Sequence, residues 1–178
     1  MFANYHTHTA RCHHATGEDK AYVEAAIQNG FQVLGFSDHC PWIFSDGYVS
    51  PIRMTPDELD GYVTSLTALK KEYAADITIY IGLESEYVPE SEYVPEMLPE
   101  QQKFLQDYPI DYQILGEHFL YPEQRGIYTG KPTDNAAELK HYVDQVIAGM
   151  ETGNYLYLAH PDLFHFIGDP ALYEQESL

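Results

Sequence analysis

The sequence predicts an α/β fold of alternating strands and helices, and two observations carry that prediction. Short apolar runs of strand length alternate with longer stretches of helical periodicity, and the residues able to hold a metal ion stand at or just beyond the ends of the strand-like runs. Ligands gathered at the C-terminal ends of successive strands are how α/β barrels build their sites. At 178 residues the chain is long enough for one domain with a substantial core.

Ala3 to His8 reads as a short strand. Within it, His6-Thr7-His8 has the two-residue period that points both imidazoles to one face, where they can chelate one divalent cation. Ala21 to Asn29 reads as a helix closed by Gly30, and Phe31 to Ser37 as a buried strand ending at Asp38-His39. Thr55-Pro56-Asp57-Glu58 opens the next helix with a hydroxyl cap, a proline at the first helical position and a glutamate three residues after the cap. That helix is expected to reach Tyr73, after which Ile77 to Leu83 forms a strand that delivers Glu84. Met97 to Gln106 is expected to be helical, Asp111 to Gly116 a strand delivering His118, Ala136 to Met150 a helix, and Tyr155 to Ala159 a fifth strand delivering His160. Tyr173 to Leu178 is helix-like with no strand after it, whereas a closed eight-stranded barrel takes about 250 residues. The expectation is therefore one domain over residues 1–178, about five βα units, lacking a C-terminal portion.

Composition narrows the function. Twenty-eight acidic residues against nine Lys and Arg give a net charge of -19, which opposes a grip on nucleic-acid phosphates. Cys12 and Cys40 are too few for a disulfide framework; they read as reduced thiols, each beside a candidate histidine, with metal contact as the alternative. No basic leader and no membrane-length apolar span occur, so the expected location is the cytoplasm, with no membrane partner. The tandem Ser85-Glu86-Tyr87-Val88-Pro89-Glu90 and Ser91-Glu92-Tyr93-Val94-Pro95-Glu96 is too short for a solenoid, and its extra copy is expected to form a surface loop just after Glu84.

The motifs taken together are specific: His6-Thr7-His8-Thr9 with His14 six residues on, Ser37-Asp38-His39-Cys40-Pro41-Trp42, Gly82-Leu83-Glu84, Gly116-Glu117-His118-Phe119 and Ala159-His160-Pro161-Asp162. On these the chain resembles the polymerase and histidinol phosphatase (PHP) superfamily, and within it the histidinol-phosphate phosphatase branch. The resemblance implies a distorted (βα)7 TIM-like barrel holding two or three divalent ions. It implies His6 and His8 on a first metal, Glu84 bridging first and second, His118 and His160 on the second, and His14 and His39 on a third. The family completes its ligands with an Asp-x-His near the C-terminus, and this sequence contains none.

Histidines with one carboxylate suit zinc, iron or manganese. Clustered divalent ions neutralise a phosphate monoester and generate a hydroxide nucleophile near neutral pH, so no covalent phospho-enzyme is expected. The implied activity is histidinol-phosphate phosphatase, a step of histidine biosynthesis. The alternatives are another PHP phosphoesterase, such as a phosphotyrosine phosphatase or a nuclease, and a catalytically silent metal-binding fragment. Arg53 leads as the phosphate-binding residue, Arg125 follows, and Trp42 or Phe119 is the candidate aromatic wall for an imidazole-bearing alcohol. His14 is preferred to its neighbour His13 on spacing, Glu84 to Glu86 on motif, and His141 and His165 are read as ordinary structural residues. An unpaired sheet edge is expected to drive oligomerisation.

Overall fold

The computed structural model describes residues 2–44, 46–88, 103–124 and 126–176. Four strands, β1 (Ala3–Asn4), β2 (Val33–His39), β3 (Thr78–Ser85) and β4 (Tyr112–Leu115), form one sheet in the order β1-β2-β3-β4. The β1–β2 and β2–β3 pairings are parallel, and β2 and β3 run in register from Val33 opposite Thr78 to His39 opposite Glu84. The described residues fall into two compact units: residues up to 84 with 103–113, and residues 85–88 with 114–176.

In the first unit, helix α1 (Asp19–Gln28) follows β1, and α2 (Leu59–Glu72) follows β2. The helix starts and stops obey the sequence. Asp19 sits in the first turn of α1, where a carboxylate complements the helix dipole, and Gly30 takes a positive φ of 76° just beyond the Asn29 cap. Thr55 and Glu58 form the expected capping box, whose first turn, Pro56–Glu58, is 3₁₀ before α2 begins. The apolar faces of both helices pack on the sheet, burying Val23, Leu59, Tyr62 and Leu66 against Leu34, Phe36, Ile79, Ile81 and Leu83. Of the helix expected over Met97 to Gln106, residues 103–106 are described and helical; the rest, like the second copy of the tandem repeat, lies outside the described residues.

The second unit carries helix α3 (Ala136–Glu151), capped by the Asn135 side chain on the Ala137 amide, and helix α4 (Pro170–Glu176). Its own core is Leu120, Leu139, Tyr142 and Phe164.

Two predicted strands come out differently. The first stops at Asn4 because the Asn4 side chain accepts from the His6 amide at 2.9 Å and donates to the Thr7 hydroxyl at 3.0 Å, turning the chain out of the ladder. Tyr155 to Ala159 is reduced to a single parallel bridge, Leu158 with Leu115, made by two backbone hydrogen bonds. Its neighbour β4 is four residues long and turns away at Gly116, so no longer ladder is available.

Over the sheet of the first unit lies the Tyr112 ring. Its hydroxyl sits 2.7 Å from the Tyr5 carbonyl and 3.0 Å from that of Phe36, and a Cβ added at Gly82 would fall on the ring. The glycine is there for close approach. Gly82→Ala is expected to lower stability by about 1–3 kcal/mol through overpacking. Urea denaturation reads this directly, and an unchanged midpoint would refute the packing argument.

Candidate metal centre

The first unit gathers three imidazoles on one carboxylate oxygen. Glu84 Oε2 lies 3.2 Å from His6 Nε2, 3.2 Å from His8 Nε2 and 3.3 Å from His39 Nδ1, while the His6 and His8 Nε2 atoms are 3.0 Å apart. Ligands held at about 2.0–2.1 Å by a tetrahedral ion stand roughly 3.3–3.4 Å from one another, so these atoms have the spacing of a coordination shell. His6 and His8 converge although the strand stops before them; the Asn4 turn, rather than strand pleating, sets their positions.

Glu84 and His39 face each other because β2 and β3 are in register, and the Cys40 amide ties down the Glu84 carbonyl at 2.7 Å. The rings of His8, His14 and His39 form a triangle with centroids 4.6 to 5.2 Å apart. His13 points elsewhere. It lines a cleft of about 600 Å³ together with Arg11, Asp19, Lys20 and Ser65, and none of the clustered histidines borders that cleft.

Asp38 belongs to this arrangement, and sequence reasoning assigned it no role. Fully buried, it presents Oδ1 to His8 Nδ1 at 3.3 Å, and its Oδ2 accepts from the Thr9 amide at 3.2 Å and from the Thr9 hydroxyl. A carboxylate on one ring nitrogen fixes the tautomer and leaves the other nitrogen's lone pair for an ion. The only sequence signal was its place beside His39 in the motif. Burial pulls the His8 imidazolium down, but hydrogen bonds to Asp38, Cys12 and Glu84 outweigh burial and push it up to about 11. Proton and cation compete for this imidazole.

The second unit holds a smaller grouping. The His118 and His160 rings are 4.8 Å apart, and His118 Nδ1 is 3.5 Å from Glu86 Oε1. Glu86, weighed above as a rival to Glu84, leaves the ladder after Ser85 and faces His118 instead. His160 has φ 32°, a left-handed conformation unusual for a non-glycine residue and costing on the order of 1–3 kcal/mol, the sort of strain concentrated at functional sites. His141 Nε2–H donates to the Leu120 carbonyl at 2.6 Å, and its ring stacks on Tyr121, an ordinary structural environment.

Behind His118, buried Glu117 accepts from the Tyr87 amide at 2.9 Å and from Gln145 Nε2 at 2.8 Å. Burial first, and then the nearby Glu86 carboxylate, push its carboxyl well above the usual 4.5. With the folded pKa raised, the folded state holds its proton more tightly than the unfolded chain. This contribution is therefore neutral below about pH 4.5 and lowers stability progressively as pH rises toward the folded pKa. Glu117→Gln forfeits one accepted bond, which offsets its stability, but it is expected to remove this slope. Melting temperatures of both proteins from about pH 4 to about pH 8 test it, and curves that stay parallel would contradict the assignment.

The residues proposed for substrate are placed as follows. Arg53 is 2% exposed, and its Nη1 donates to the Cys40 carbonyl at 3.4 Å, next in sequence to His39. Trp42 is buried, the Phe119 ring lies 6.0 Å from that of Tyr128, and Arg125 lies outside the described residues.

A family model for the PHP domain matches residues 4–177. The chain belongs to the PHP domain family. Among curated proteins, this PHP chain is 34% identical over 115 residues to the "Probable histidinol-phosphatase" of Deinococcus radiodurans and 33% identical over 121 residues to the histidinol-phosphatase of Bacillus subtilis. Each alignment covers 65% of this chain but only 41% and 43% of the respective relative, so the chain spans about two fifths of the length of the curated relatives it matches. Among solved structures it is similar to histidinol phosphate phosphatase from Lactococcus lactis subsp. lactis, crystallised with zinc, L-histidinol and phosphate. That likeness has a TM-score of 0.71 at 18% identity and covers 98% of this chain and 66% of the other, which shows the α/β fold. No helix among the described residues is long and apolar enough to cross a membrane.

Proposed function

We propose that this PHP chain carries the metal-binding part of a metal-dependent phosphomonoesterase acting on L-histidinol phosphate to give L-histidinol and phosphate. The observation that carries the reading is the convergence of His6, His8 and His39 on Glu84 Oε2 at 3.2 to 3.3 Å. Its substrate is suggested by the names of the relatives and by the ligands of the Lactococcus structure. The parallel strands that alternate with helices support a partial TIM-like barrel, which we take to be the distorted (βα)7 form.

The donor set fits two or three divalent ions of zinc, iron or manganese type, because imidazole with carboxylate suits them all. His6, His8, His39 and Glu84 would hold an ion in the first unit, with His14 beside them, and His118 and His160 one in the second. Bound there, such ions supply the positive charge that a phosphate dianion and its attacking water require. The protein's own contribution is to hold these nitrogens and oxygens in place before any substrate arrives. Asp38 keeps His8 in one tautomer, and the β2–β3 register aligns Glu84 with His39.

Arg53 is the proposed phosphate-oxygen donor, with Trp42 as aromatic wall and Arg125 as a second cation. A charge-assisted hydrogen bond contributes about 1.5–3 kcal/mol, so Arg53→Lys is expected to raise KM for L-histidinol phosphate roughly tenfold or more. An unchanged KM in a folded, active protein would remove Arg53 from substrate binding.

The substrate assignment is tested by comparing kcat/KM for L-histidinol phosphate, phosphotyrosine and a dinucleotide phosphodiester. Preference for the first supports the reading; preference for either other substrate moves the chain to a different branch of PHP phosphoesterases.

A further inference from the structure

We propose that Cys12 is a metal ligand, forming with His8 and His14 a site of one thiolate and two imidazoles for a borderline-soft divalent cation such as zinc. One ligand atom from each of these three residues lies within 4.8 Å of the other two. The inference concerns metal binding alone and stands whichever phosphate ester the chain acts on.

Local backbone builds the arrangement. The 3₁₀ turn Ala10–Cys12, capped by the Thr9 side chain, delivers Cys12 to a fully buried position. His13 then takes φ 63°, and this left-handed reversal brings the His14 ring to 4.8 Å from that of His8. His14 Nδ1 lies 3.1 Å from the Cys12 carbonyl, a contact in which Nδ1–H donates. That assigns the ring proton to Nδ1 and leaves the Nε2 lone pair for an ion, the same outer-contact logic that Asp38 applies to His8. The Cys12 thiol donates to the Thr9 carbonyl at 2.9 Å, which leaves sulfur lone pairs for the imidazole side. On ligation the S–H bond breaks, its proton passes to solvent, and a metal–sulfur bond forms with no change of oxidation state.

The competing account is a buried thiol that only packs and bonds to Thr9. It gives no reason for two imidazoles that each bring a nitrogen within 4.8 Å of the sulfur. Cys40, equally buried, has its sulfur near the Pro41 carbonyl at 3.6 Å and belongs to none of the ligand groupings found among the described residues, so it serves as the internal control. His8 also belongs to the grouping with His39 and Glu84, and its single Nε2 lone pair serves one ion at a time, so a thiolate here adds soft, negative charge to the histidine and carboxylate cluster around that ion. Such a ligand favours zinc over manganese.

Cobalt(II) titration of the purified 178-residue chain tests the proposal, because a cobalt–thiolate bond gives a sulfur-to-metal charge-transfer band in the near ultraviolet. The wild type and Cys40→Ser are expected to develop the band, and Cys12→Ser to lose it while keeping the visible bands of cobalt bound to nitrogen and oxygen. A band that survives Cys12→Ser, or a wild type without one, overturns the proposal. A second measurement needs no variant at position 12: zinc X-ray absorption of Cys40→Ser is expected to show a sulfur neighbour at about 2.3 Å. A shell of nitrogen and oxygen alone overturns it equally.

Discussion

Glu84→Gln is expected to abolish metal-dependent activity and to weaken metal binding by more than about a hundredfold, since even outer contacts of ligands are worth 10- to 100-fold. The side chain is 1% exposed, and its Oε2 is the shared neighbour of His6, His8 and His39. The amide keeps the volume but removes the negative charge that offsets a divalent ion, and it can place an N–H where a lone pair was. Three imidazoles would then surround a neutral group. Metal content by mass spectrometry after dialysis against trace zinc reads the effect. A variant that retains its full complement of metal would show that Glu84 is not a ligand.

Asp38→Asn is the second large effect, and it separates orientation from ligation. Asp38 reaches no ion in this reading. It holds His8 through Nδ1 at 3.3 Å and is held in turn by Thr9. The amide can face the ring with its NH₂, which favours the tautomer protonated on Nε2 and takes away the lone pair meant for the ion. A loss of about 10- to 100-fold in zinc affinity is expected, with the fold retained. Isothermal titration gives the affinity and circular dichroism the fold; wild-type affinity would reduce Asp38 to a packing role.

Much of this site was legible in the sequence because ligand residues cluster in short motifs. His6, His8, His14, His39 and Glu84 were each marked by spacing or by neighbours, and the structure brings all five into the first unit. What spacing could not reveal were the contacts over long sequence separation. Asp38 meets His8 thirty residues back in the chain, and nothing in either motif announces the pairing. The Asn4 turn is a different failure: strand alternation predicted the right partners by the wrong geometry, because one side-chain amide captured the backbone two residues on. Tyr155 to Ala159 has strand composition, yet a strand needs a neighbour to pair with, and the length of β4 is a tertiary fact. Glu86 has the same chemistry as Glu84 and lies two residues away; only the end of the ladder at Ser85 separates their roles.

The central claim is that this histidine and carboxylate cluster supports phosphomonoester hydrolysis. Phosphate release from L-histidinol phosphate by the 178-residue chain, with zinc, manganese or iron supplied, tests it against EDTA-treated protein and Glu84→Gln assayed in parallel. Turnover that requires the metal and vanishes in both controls is the predicted result. Folded, metal-loaded protein that releases no phosphate, or release that persists in Glu84→Gln, would contradict it.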